Sequence, residues 1–206
     1  MSEIKTNKVS PVGANGTVSL GDSGDTITVP SGTTLDIASG ATIANSGTAT
    51  GFGKVLQIQY FQTATQQNTT SNTFAASQLT KAITPSSSSS KIMVQMTCQV
   101  SNADGNPPRF IVYRGGSPAS GLIGSGATSN RQNATVMGNN SLTSYIQPVN
   151  FTLFDEPATT SATTYTVYWA SYSNSSTTWM NKPAADGDND YTIYTQSSLI
   201  LWEIAG

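Results

Sequence analysis

Between residues 92 and 100 the chain reads Ile-Met-Val-Gln-Met-Thr-Cys-Gln-Val, with Ile92, Val94, Met96, Cys98 and Val100 sharing one parity. A period of two places that set on a single face of a β-strand, turned toward a core. Runs rich in β-branched and aromatic residues predict further strands at 55–62, 79–84, 109–113, 134–137, 145–154, 164–172, 191–194 and 198–204. Turn signals separate them: Thr84-Pro85 and five serines, Asp104-Gly105-Asn106-Pro107-Pro108, Gly115-Gly116, Asp155-Glu156-Pro157 and Asp186-Gly187-Asp188. Pro148 lacks a ladder donor and predicts an edge position or a bulge in its strand. No window has helical periodicity. Eight or nine short strands over about 150 residues predict an all-β sandwich head over 54–206, for which the jelly roll is the commonest arrangement.

The first quarter of the chain follows a different rule. Gly16, Gly24, Gly32 and Gly40 recur every eighth residue, and Gly47 follows after seven. Ile27 and Val29 stand at the same offsets from Gly24 as Leu35 and Ile37 do from Gly32, with Ile43 in the next unit. Self-similarity at a fixed short period marks stacked units that cannot bury their apolar side chains alone. No aromatic residue precedes Phe52. We therefore expect a β-repeat stalk over 16–53 in which Ile27, Val29, Leu35, Ile37 and Ile43 point inward among three chains. Residues 1–15 form a separate segment ahead of the repeats. A disordered linker of similar composition is the alternative, but it has no reason to hold β-branched residues in register with glycine. Stacked as rungs about 4.8 Å apart, the repeats would span only about 20 Å.

Composition narrows the function. Only 10 % of the 206 residues are charged and the formal net charge is −2, too weak a field to gather phosphates, so no nucleic-acid partner is expected. No apolar stretch is long enough to span a membrane, and Met1–Lys5 opens no signal-peptide core. Histidine is absent, which removes His-based triads, His-ligated metals and the usual neutral-pH base. The single cysteine, Cys98, is expected to be a buried thiol and not a nucleophile. We expect no enzyme, no cofactor and no metal.

Among candidate sites, Asp186-Gly187-Asp188-Asn189-Asp190 resembles the start of a hard-cation loop but lacks the distal Glu and reads as a hairpin turn. Asp155 and Glu156, adjacent on a strand, point to opposite faces and cannot act as a glycosidase pair. Gly121–Gly126 has no lysine and no following helix, and reads as a turn. Arg109, Arg114 and Arg131 are too few for a basic patch. Trp169 and Trp202 are expected in the core. Trp179 sits among polar residues and is the expected exposed ring. With Asn181, Asp186, Asp188 and Asp190 it forms the candidate receptor-binding set, because loops on a rigid β scaffold carry recognition.

Several segments carry a resemblance. Ile83-Thr84-Pro85 and its serines leading into Lys91–Val94, then Phe154-Asp155-Glu156-Pro157 running into Thr164–Val167, then Ser197–Gly206, resemble a bacteriophage fibre head domain. The repeats ending in Thr48–Gly53 are similar to stalks that precede such heads. The resemblance implies a homotrimer with a jelly-roll head of the tumour-necrosis-factor and C1q shape, joined to other virion proteins through its N-terminus. It implies a virion location after assembly in the host cytoplasm, and a host glycan or receptor as partner. A capsid decoration protein with a purely structural role is the alternative. The family carries no transferable catalytic residues.

Overall fold

The computed structural model describes residues 18, 20, 24–39, 41, 55–102, 104–129, 131–138, 145–190 and 192–206. The chain divides into two units, Met1–Ala49 and Thr50–Gly206.

In the first unit the described residues form turns and no strand. Gly24 (φ 95°) and Gly32 (φ 83°) both occupy the left-handed region, eight residues apart, so these two positions have a backbone reason for glycine. Thr33 closes one turn with its N–H and its hydroxyl on the Pro30 carbonyl, at 3.2 and 2.6 Å. Ile27, Val29, Leu35 and Ile37 are 63, 47, 68 and 42 % exposed, so this chain alone gives them no core. Ile43 lies outside the described residues.

Among its described residues the second unit is all-β apart from one turn of 3₁₀ helix at Ser120–Leu122. Its strands are β1 (Val55–Thr63), β2 (Gln67–Thr69), β3 (Ala75–Ile83), β4 (Lys91–Asn102), β5 (Arg109–Arg114) and β6 (Ser117–Pro118). They continue as β7 (Val136–Met137), β8 (Gln147–Asp155), β9 (Thr163–Ala170), β10 (Thr178–Met180) and β11 (Ser197–Ile204). One sheet runs β1-β11-β4-β10-β2, with β8 on the other edge of β4. The second runs β3-β9-β5-β6, with β7 also on β5. Every pairing is antiparallel, and the two sheets form a sandwich.

Strand alternation builds the core. Ile92, Val94, Met96, Cys98 and Val100 of β4 are all buried, as are Leu199 and Leu201 of β11. Facing them from the second sheet are Leu79, Phe110, Val112, Tyr165, Val167 and Trp169. Pro148 sits on β8, whose one partner among the described strands is β4, so its missing donor breaks no ladder.

Two expectations need correction, and two further features are new. Trp202 is half-buried and not in the core, because the parity that buries Leu199, Leu201 and Glu203 turns it to the outer face. Residues 192–194 form no strand: the Thr192 N–H bonds the Asn189 carbonyl at 3.3 Å, which folds the segment back onto its own loop. The short polar strands β2 and β10 were not expected. Leu122 in the 121–126 turn is a core residue carried by the short helix.

Two buried carboxylates tie the sandwich together, both in register with Ile92: Asp155 on β8 and Glu203 on β11. Burying a carboxylate is costly unless donors replace its water. Asp155 accepts from Arg114 Nη1 at 2.7 and 2.9 Å and from the Tyr165 hydroxyl at 2.6 Å, a bridge from one sheet to the other. Burial opposes the Arg114 charge, yet the bond to Asp155 leaves its pKa raised. Burial and the Asp155 bond push Tyr165 up as well. Glu203 is in no ion pair among the described residues. Its Oε1 accepts from the Ser86 N–H and hydroxyl, both at 2.6 Å, and from the Ser90 hydroxyl at 2.7 Å. Gln57 Nε2 donates to Oε2 at 2.6 Å. Burial raises its pKa, but the bonds from Ser86, Gln57 and Ser90 prevail and hold it at about 2.

Candidate functional site

The candidate receptor-binding residues fall on β10 and the loop after it. Trp179 is paired with Ser101 of β4 and Asn68 of β2, so its backbone is fixed by the first sheet. Its ring is half-buried and not the freely exposed ring expected. The Lys182 ammonium lies 4.4 Å from the ring centroid, a cation–π contact over one face.

Lys182 is not among the residues the sequence singles out, although its i, i+4 spacing to Asp186 is visible there. It forms an ion pair with Asp186 at 2.8 Å. Asp186 also accepts from the Tyr194 hydroxyl at 2.9 Å. The Lys182 bond, then the Tyr194 bond, lower the Asp186 pKa, and the Tyr194 bond raises that of Tyr194. One chain of contacts thus runs Trp179–Lys182–Asp186–Tyr194. Asp186, Gly187, Asp188, Asn189, Thr192 and Tyr194 line an open depression of about 310 Å³. Asp188 and Asp190 are exposed on that loop. Among the described residues no three His, Cys, Asp or Glu side chains converge as a metal site would require. Tyr191 lies outside the described residues.

Asn181 does not belong to this surface. It is fully buried, with φ at 65°, a conformation Asn tolerates better than most residues. Its amide donates to the Thr63 and Thr65 carbonyls at 3.0 and 2.9 Å and accepts from the Ser197 hydroxyl at 2.6 Å. It locks β10 to the end of β1 and the start of β11, and a surface partner cannot reach it.

Other candidates resolve locally. Glu156 is exposed and paired with Lys91 at 2.9 Å, while Asp155 is buried, so the two adjacent acids do diverge. Asp155 and Glu203 share a face, but neither reaches solvent and both are filled with donors. Cys98 is fully buried, and burial pushes its thiol up to about 12 despite the Ser197 contact.

The outer face of the first sheet carries apolar rows. Cross-strand register places Ile58, Trp202, Met93 and Phe154 in one row over the outer face of the first sheet. Tyr60 and Ile200 lead the next row. Leu56, Ile58, Tyr60 and Phe154 are 50, 47, 66 and 52 % exposed. No protein-family model matches the sequence, and no curated protein matches it.

Proposed function

We propose that this chain is a bacteriophage virion structural protein, a short trimeric fibre or spike on tail or capsid. A β-repeat stalk carries a jelly-roll head used for host-surface recognition or adhesion. The observation that carries the reading is the outer face of the first sheet. A four-strand row of Ile58, Trp202, Met93 and Phe154 is a surface that favours burial against copies of itself. The stalk's apolar side chains, exposed in one chain, argue the same way. The orders β1-β11-β4-β8 and β3-β9-β5-β6 favour the jelly roll, whose two sheets interleave early and late strands in this manner. The sequence resemblance to phage fibre heads supplies the virion context.

Light scattering on the full chain should give about 65 kDa, three times its 21.5 kDa. Ile58→Asp should dissociate it, since an exposed charge is harmless in the monomer and an unpaired one is costly in an interface. A stable wild-type monomer at micromolar concentration overturns the trimer. Purified heads that fail to adsorb to host cells overturn host recognition and leave a decoration role.

A further inference from the structure

Arg109 and Arg131 are too isolated in sequence to form a patch, yet the fold brings them to one cavity. Arg109 stands on β5, opposite Ala170 of β9 and Met137 of β7. Arg131 comes from the segment between the 3₁₀ helix and β7. That segment is held by Gly124 N–H on the Ala134 carbonyl at 3.0 Å and by reciprocal bonds between Thr128 and Arg131 at 3.0 and 3.2 Å. With Gln132, Met137 and Tyr172 they line a cleft of about 450 Å³, within the range of small-ligand sites.

Among the described residues the charge in this cleft meets no anion, although the Arg109 guanidinium lies 5.8 Å from the Phe74 ring centroid in a cation–π contact. Among the described residues no Asp or Glu lines it, and neither arginine is in an ion pair. Arg109 is instead held by neutral oxygens: Nη2 donates to the Ser171 and Asn72 carbonyls at 2.6 and 3.0 Å, and Nη1 to Gln132 Oε1. Its Nε is buried without a partner. Burial lowers its pKa, the sense expected of a guanidinium partly withdrawn from water. Beside the two guanidinia stand a 58 % exposed Tyr172 ring and a 61 % exposed Met137 side chain.

We propose that this cleft binds an acidic sugar, its carboxylate held by Arg131 and Arg109 and its C–H face laid on Tyr172. The exposed Arg131 fork matches a carboxylate in charge and plane, and Arg109, with Nη2 engaged and Nε buried, adds its charge and its remaining Nη1 hydrogen. An exposed tyrosine offers an apolar face with a polar tip, and Met137 gives a yielding apolar wall. Gln132 supplies an amide for a ring hydroxyl. The inference rests on the host-surface reading for its biological sense, but it names a cleft other than the Trp179 loop.

The test uses the full-length protein, with methyl glucuronide and methyl glucoside as probes in saturation-transfer NMR and titration. The two differ by a carboxylate against a hydroxymethyl group. Glucuronide should bind at least about tenfold more tightly, the scale of one charge-assisted hydrogen bond. Arg131→Ala, an exposed change that leaves the core untouched, should weaken it by about tenfold, and Tyr172→Ala similarly. Absence of glucuronide binding, equal binding of the glucoside, or unchanged binding by Arg131→Ala overturns the site. Glucuronide binding without host-cell adsorption leaves the site standing and removes the host-surface role. Adsorption without glucuronide binding does the reverse.

Discussion

Replacing Glu203 by Gln tests the least expected feature of the sandwich, a buried carboxylate held by hydroxyls and amides in place of a cation. The side chain is fully buried and its pKa falls from 4.5 to about 2. A tenfold change in proton affinity corresponds to about 1.4 kcal/mol, so the ionised carboxylate contributes about 3 kcal/mol to the folded state. The sign follows from which state takes the proton first. Below about 4.5 the unfolded chain binds a proton that the folded chain refuses until about 2, so stability is complete above that window and is lost as pH falls through it. Glu203→Gln preserves shape but turns three charge-assisted bonds at Oε1 into neutral ones and sets an amide N–H₂ against Gln57 Nε2. We expect a loss of about 2–3 kcal/mol at neutral pH, shrinking as the pH approaches about 2. Urea unfolding followed by tryptophan fluorescence, at neutral pH and again near pH 3, measures both values. Other carboxylates titrate in both proteins, so the difference between them isolates Glu203. A gap of the same size at both pH values, or one below about 0.5 kcal/mol at neutrality, refutes the account of the cage.

Cys98, fully buried with its thiol pushed up to about 12, should resist thiol reagents in the native protein at neutral pH. Labelling should begin only as denaturant unfolds the sandwich, and rapid native labelling counts against the core placement. Asn181→Ala leaves two carbonyls and the Ser197 hydroxyl without their partner and puts Ala at φ 65°. It should cost about 2–4 kcal/mol in chemical denaturation, and a loss within error would return Asn181 to the surface.

What is legible in the sequence is whatever local alternation can carry. β4 shows why: five inward apolar residues in strict register leave one possible face. Cys98 is placed by the same rule. Trp202 misleads because a large aromatic near two leucines looks like core, whereas the period itself turns it outward with Ile200. β2 and β10 escape because three residues cannot establish a period, and Gln67-Asn68-Thr69 is polar throughout. The burial of Asn181 depends on Thr63 and Thr65, more than a hundred residues earlier, and nothing in its own neighbourhood signals it. The serine run reads as a turn, which it is. Its second role, hydroxyls gathered around Glu203, depends on a residue over a hundred positions later. Arg109 and Arg131 are too far apart in sequence to read as a pair, and only the β5–β7 pairing brings them to one cleft.

The place of β11 governs when the sandwich can exist at all. It is inserted between β1 and β4, strands made long before it, so both must wait with open hydrogen-bonding edges until residues 197–204 emerge from the ribosome. Contacts of such long sequence separation form slowly, and waiting edges invite mispairing. The same strand contributes Trp202 and Ile200 to the apolar rows of the outer face. Those rows are therefore incomplete in any chain whose sheet is incomplete. An interrupted or misfolded copy thus presents a different outer face from a finished one, and the order of synthesis decides when that face first appears.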